Sequence, residues 1–333
     1  MNVRHRMDHE PLASGMLCAA SPSTYAISDM QFSIVIPTFQ RKDDLRACLR
    51  GIAQLDFPRK EFEVIVVDDG SPEAPTDVVN AYESDLPVRL IVVPQNGGPA
   101  HARNVGARHA NGEYVVLLDD DCVPEREWLT SLATRRREFP EAVIGGVLAN
   151  GAPDSLCAEA SQQLGEFLYR YYNADVDNAG WFMSANLACP RTAFLAIGGF
   201  DESFPLAAAE DRDFCDRWRE AGRRLVMAPH AIVRHMRSMT FRQFWKQHRT
   251  YGRGARHLHL ARGKRQVAIP RREPLVAFYF RLLCAPLAHS RGMRTPVLML
   301  LMLVSQLAYV SGFYAEDGTL PKALTPQARG LNA

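Results

Sequence analysis

Three consecutive carboxylates, Asp119-Asp120-Asp121, close an apolar run from Glu113 to Leu118. Side chains alternate along an extended chain, so Asp119 and Asp121 can face the same way at the end of a strand. Two hard oxygen donors on one side suit Mg2+ or Mn2+, which keeps its other positions for water and substrate phosphates. A second acidic pair, Glu210-Asp211, opens a helical pattern in which Phe214, Trp218 and Ala221 recur. A carboxylate at a helix N-terminus is kept ionised by the helix dipole and can accept the proton of an attacking hydroxyl. Taken singly, each has a plain structural reading, as an acidic turn or a first-turn helix carboxylate.

The elements that must position these residues can be read from their periodicity. Phe32–Pro37, Glu63–Asp68, Val88–Val93 and Glu113–Leu118 are short apolar runs of strand type. Between them, Arg41–Leu55 carries Leu45, Leu49 and Ile52 at helical spacing, and Ala100–Ala110 reads as a second helix. Strands that are continuously apolar and alternate with helices predict an α/β, Rossmann-like domain. Its sheet would be mostly parallel, with helices on both faces. Polar or glycine punctuation follows all four runs: Pro37-Thr38, Asp68-Asp69-Gly70-Ser71, Asn96-Gly97-Gly98 and Asp119-Asp120-Asp121. Sheets of this kind bind ligands just past the carboxyl ends of their strands.

A chain of 333 residues, 47% hydrophobic and 23% charged, has the composition of a globular protein rather than a disordered one. The seven cysteines form no C-x-x-C pair, which argues against a disulfide framework or a structural zinc site and for a reducing compartment. The net charge of +2 conceals a basic run. Arg234 to Arg272 holds twelve Lys/Arg and no Asp/Glu, leaving 27 basic against 37 acidic residues elsewhere. Such a run suits phosphate or an anionic membrane surface; it contains no recognised nucleic-acid motif, and no nucleic-acid partner is expected.

Six blocks in order carry a resemblance. They are Ser33-Ile-Val-Ile-Pro-Thr-Phe39, Val66-Val-Asp-Asp-Gly-Ser71, Asn96 to Asn104, Gly112 to Asp121, Gly198-Gly-Phe-Asp-Glu202 and Glu210-Asp-Arg-Asp213. From Phe32 to Tyr251 the chain resembles the family 2 glycosyltransferases, which have a GT-A fold, use nucleotide-diphosphate sugars and invert the sugar they transfer. The resemblance implies a metal-dependent, hexosyltransferase-like enzyme with Mg2+ or Mn2+ as cofactor. Pro37, Thr38 and Asp69 would line the base and ribose pocket, and Asn96, Gly98, Arg103 and Asp119 would complete the donor side. Asp119 and Asp121 would be the D-x-D pair and bind the metal with His235, while Asp211 would be the catalytic base. Asn186, Gly198, Gly199 and Glu210 would form the acceptor side. His257 and His259 are expected to be non-ligands.

One departure bears on activity. Processive members carry a Q-x-x-R-W motif, which Gln247-His-Arg-Thr-Tyr251 does not match, so transfer of a single sugar is expected. Two rival readings are a sugar nucleotidyltransferase, which would show a glycine-rich phosphate loop after the first strand, and a catalytically inactive, membrane-tethered binding module. Residues 1–30 read as a mobile tail, 31–251 as the GT-A domain, and 252–333 as a basic and apolar helical region associated with the membrane. Within that region Thr295–Ala315 is 21 residues without a charge, long enough to cross a bilayer, although an amphipathic hairpin with Pro274–Ser290 also fits. The expected location is the cytoplasmic face of a membrane, peripheral or with one C-terminal segment. The expected acceptor is a hydroxyl of a glycan or lipid-linked glycan, in cell-envelope polysaccharide or glycolipid synthesis.

Overall fold

The computed structural model describes residues 30–152, 154–204, 207–266, 275–289 and 292–315. The expected N-terminal tail lies outside them but for Met30. The first part alternates β1 (Phe32–Thr38), α1 (Lys42–Ile52), β2 (Phe62–Asp68), α2 (Thr76–Asn80), β3 (Val88–Val92), α3 (Pro99–His109) and β4 (Tyr114–Leu118). There follow β5 (Cys122–Pro124), α4 (Trp128–Glu138), β6 (Val143–Asn150), α5 (Leu156–Tyr172), β7 (Asn186–Pro190), α6 (Arg191–Ala196), α7 (Glu210–Glu220) and β8 (Leu225–His235). The described chain ends in α8 (Phe241–Arg265), α9 (Leu275–Cys284), α10 (Pro286–His289) and α11 (Arg294–Phe313).

One eight-stranded sheet runs in the order β3-β2-β1-β4-β7-β6-β8-β5. Alternation along the strands divides the core into two layers. Ile34, Ile36, Val64, Val66, Val116 and Leu118 meet α1, α2 and α4 on one face. Val35, Ile65, Val67, Val115 and Leu117 meet α3, α5, α6 and α7 on the other. Helices therefore cover both faces, as expected. The sheet is less uniformly parallel than expected: β1 to β4 pair in parallel, as do β6 and β8, but β7 runs antiparallel to both β4 and β6, and β5 to β8. A continuous apolar strand reports burial on both faces and says nothing of direction.

The boundary expected at residue 251 falls inside α8. A capping box between Thr240 and Gln243 starts this helix, and it runs to the left-handed Gln266. On it lies α11, whose Leu298 and Leu301 pack with Phe244 of α8 and with Ala158 and Ala160 of α5. Leu164, Leu282 and Met302 join α5, α9 and α11 in a further cluster. By length and composition α11 could cross a membrane, but one third of its apolar window is buried against the protein. The basic run is also less bare than its sequence suggests. Arg234 pairs with Glu125, Arg262 with Asp216, and Arg265 with Asp213 and Glu220.

Candidate active site

The carboxyl ends of β1, β2 and β4, the starts of α3 and α7, and the end of β8 open on one cavity of about 1150 Å³. The chain leaves strand geometry at Asp119 and turns, with Cys122 N–H donating to Asp119 O at 3.1 Å. Asp119 therefore faces Arg103 while the adjacent Asp120 and Asp121 converge on Arg41, and the simple period-two alternation does not apply to them. Asp119 Oδ1 accepts from Arg103 Nη2 at 2.6 Å, and the same buried guanidinium reaches Glu210 Oε1 at 3.3 Å. Asp120 accepts from Thr38 Oγ1 at 2.8 Å and from Arg41 Nη1 at 3.0 Å. Arg41 also donates to Asp121 Oδ2 at 3.0 Å.

Strand pairing explains the last partner. The antiparallel ladder between β5 and β8 sets Cys122 opposite His235, and His235 Nε2 lies 3.3 Å from Asp121 Oδ1. Burial opposes ionisation of Asp121, but the His235 hydrogen bond and charge, then Arg41, outweigh it and hold this carboxyl below its usual range. Burial likewise works against a charged His235, and Asp121 reverses the balance and raises its pKa. Asp120 goes the other way, pushed up to about 7 by burial foremost and by Asp121 beside it, with Arg41 and Thr38 opposing. Burial raises Glu210 and Asp211 together, and the Asp211 charge adds to the rise on Glu210.

The donor set fits a hard divalent cation. Ligand atoms of Asp121, Cys122 and His235 lie within 4.8 Å of one another. Burial holds the Cys122 thiol protonated, which leaves a carboxylate and an imidazole as the competent ligands. Asp119 is engaged by Arg103 and stands outside this group.

Of the residues expected on the donor side, Pro37, Thr38, Asp69, Asn96, Gly98 and Arg103 all line the cavity. Asp69 is nearly buried, and its two oxygens accept from the N–H groups of Gly97 at 3.0 Å and Gly98 at 2.7 Å. Gly98 has a φ of +86°, which a side chain would strain, so Asp69 fixes the loop that enters α3. Glu210 and Asp211 line the cavity from the first turn of α7.

Three expected acceptor residues do not reach the cavity. Asn186 is buried within the sheet, donating from Nδ2 to the carbonyls of Val147 and Ala231 and accepting from Trp128 Nε1 at 2.9 Å. Its amide is spent on joining β6, β8 and α4, which is why it is not a wall residue. Gly198 and Gly199 form a turn at positive φ behind the site, where Gly199 meets Asn104 and accepts from Arg217. Conversely, Arg41, Asp120, Arg237, His248 and Tyr251 line the cavity and went unassigned. For Arg41 the available signal was a guanidinium three residues past Thr38, at the mouth of β1.

A family model for glycosyl transferase family 2 matches residues 33–194, and one for glycosyl transferase family group 2 matches residues 114–315, more than half of the chain. The poly(ribitol-phosphate) beta-N-acetylglucosaminyltransferase TarS of Staphylococcus aureus is 33% identical over 140 residues, covering 40% of this chain and 24% of its own. The pre-mycofactocin glycosyltransferase of Mycobacterium tuberculosis is 28% identical over 240 residues, covering 68% of this chain and 47% of its own. The chain thus spans half or less of the length of these relatives. Among solved structures, a mannosyltransferase from Pyrobaculum calidifontis in complex with GDP-Man and Mn2+ superposes with a TM-score of 0.63 at 19% identity, covering 85% of this chain and 87% of that chain. With its six motifs in order, and a sheet whose strand ends meet in one carboxylate-lined cavity, the chain belongs to glycosyltransferase family 2 and has the GT-A fold.

Proposed function

We propose that the chain transfers a single sugar, with inversion, from a nucleotide-diphosphate sugar to a hydroxyl of a glycan or lipid-linked glycan. The observation that carries this reading is the continuity of the cavity, which joins Pro37, Thr38 and Asp69 at one end to Asp211 beyond the aspartate cluster. The acceptor hydroxyl attacks the anomeric carbon and its proton passes to Asp211, whose raised pKa makes it a better base than an exposed aspartate. The bond to the diphosphate oxygen breaks, and that oxygen keeps the electron pair. Arg103 aligns Asp119 with Glu210, beside the base, and Arg41 holds Asp120 and Asp121 together. Mg2+ or Mn2+ held by Asp121 and His235, with Asp119 nearby, would neutralise charge on the leaving diphosphate.

The setting we propose is the cytoplasmic face of a membrane, in cell-envelope polysaccharide or glycolipid synthesis. A poly(ribitol-phosphate) acceptor in the name of TarS supports that setting. The face of α11 turned away from α5 and α8 exposes Val297, Leu300, Leu303, Leu307 and Val310. An apolar row backed by packed protein suits a helix lying in the interface, helped by the exposed cations Arg242, Lys246, Arg249 and Lys264. A panel of nucleotide sugars tests the activity by binding and slow hydrolysis, with and without EDTA. Selective, EDTA-sensitive binding of one donor is expected. Label accumulating in a nucleotide sugar instead of a glycan would replace this reading with the nucleotidyltransferase.

A further inference from the structure

The cavity does not end at Asp211. It continues between α5, α8, α9 and α11, where the lining turns from carboxylates and guanidiniums to Trp181, Tyr172, Phe278, Leu282 and Tyr309. Its volume of about 1150 Å³ exceeds the roughly 300–1000 Å³ of a pocket for one drug-sized ligand. A second substrate has room beside a nucleotide sugar. On the chamber wall His248 is only 2% exposed, and its Nε2 has no hydrogen-bond partner among the described residues. A buried, unpaired ring nitrogen on a residue that lines a cavity calls for a partner, which a ligand entering beside the ring can supply.

The chamber borders an exposed apolar surface. Tyr279 of α9 both lines it and is 40% exposed. Beside it on α9, Val276 is 82% and Phe280 68% exposed, and α9 packs against α11, whose outer row is also apolar. A free, fully hydroxylated glycan would gain little from such a surface, whereas a hydrocarbon chain would be buried along its whole length.

We propose that α9 and α11 build the acceptor half of the active site, and that the acceptor is an amphiphile. Its hydroxylated head lies at Asp211, with a polar group on His248, and its hydrocarbon chain leaves past Tyr279 onto the lipid-facing side of α9 and α11. The inference rests on the glycosyltransferase reading and narrows the acceptor to a lipid-linked one.

The test uses the purified full-length chain with the donor selected from the panel, radiolabelled in its sugar. The acceptor probes are the chloroform–methanol extract and, separately, the aqueous extract of the source cells. Label is expected in an organic-phase product formed from the lipid extract. Tyr279→Arg, which places a charge where the hydrocarbon chain would leave, is expected to raise the KM for that extract at least tenfold while kcat and donor affinity stay near wild type. Tyr279→Phe, which keeps the apolar ring, should keep the KM close to that of the wild type. Product confined to the aqueous extract, or a Tyr279→Arg enzyme with unchanged KM, would overturn the amphiphile inference and leave glycosyl transfer standing. Failure of every donor to bind would overturn the glycosyltransferase reading itself.

Discussion

Two glycines hold the C-terminal helices against the rest of the protein, and their replacement gives a sharp test of that packing. A Cβ built on Gly252 of α8 would lie 1.9 Å from the carbonyl oxygen of Tyr309 on α11. One built on Gly312 of α11 would lie 1.9 Å from the carbonyl oxygen of Arg249 on α8. Backbone atoms cannot rotate away as a side-chain tip can, so Gly252→Ala must push two helices apart by more than 1 Å. Overpacking of this kind costs about 1–3 kcal/mol. Against it stands the gain of about 1 kcal/mol for replacing a helical glycine by alanine. Net destabilisation of up to about 2 kcal/mol is expected, a few degrees in melting temperature for a chain of this size. Gly263→Ala, in the same helix with nothing within 4 Å, keeps the gain without the clash and is the matched control. Differential scanning fluorimetry of the two variants should move in opposite directions. Equal shifts would refute the contact between α8 and α11, and with it the chamber that those helices line and that we propose holds the acceptor.

Asp121→Asn is expected to abolish transfer and EDTA-sensitive donor binding while the melting temperature stays within a few degrees, checked by calorimetric titration with Mn2+. Asp211→Asn should keep donor binding yet lose transfer by roughly 10²–10⁴-fold, the usual worth of a positioned base; poor donor binding with normal turnover at saturation would make Asp211 a binding residue. Because burial raises the Asp211 pKa, kcat/KM should fall as pH drops through a value above the ordinary range for aspartate of about 4. A profile flat down to pH 4 would remove Asp211 as the base. A chain ending between 251 and 270, which its sequence suggests would be soluble and bind donor, loses the cover of α11 over Phe244 and Leu164; it is expected to aggregate or bind detergent, and a soluble, donor-binding monomer would contradict this.

The first half of the sheet was legible because β1, β2 and β4 are buried on both faces, and burial leaves uninterrupted β-branched and leucine runs in the sequence. The carboxylates at their ends were legible for a similar reason: a charged residue directly after such a run has nowhere to go but the rim. What could not be read was pairing between distant segments. Only the β5–β8 ladder brings His235 to Asp121, and nothing local to either residue encodes that register. Asn186 misled because a buried amide satisfied by Trp128 and two carbonyls has the same letter as one that binds a sugar. The boundary placed at 251 came from a local change of composition, whereas Gly252 and Gly254 just beyond it are places where α8 is approached closely, by α11 and by Ala208.

The electrostatics of the site account for why donor and cation should bind together. Five carboxyl groups, those of Asp119, Asp120, Asp121, Glu210 and Asp211, surround Arg41, Arg103 and His235. Arg41, Arg103 and His235 are already engaged by these carboxylates, while Arg212 and Arg237 also line the cavity. Burial foremost raises Asp120, Glu210 and Asp211, and a neighbouring carboxylate adds to the rise on the first two. A sugar diphosphate would bring more negative charge into the same cavity, where partial burial weakens screening by solvent. A divalent cation placed with Asp121 and His235 would offset both the resident carboxylates and the incoming diphosphate. Arg103 then has a role that extends beyond a local ion pair. It lies between Asp119 at the end of β4 and Glu210 in the first turn of α7, so one buried guanidinium ties the aspartate cluster to the acidic pair that includes Asp211.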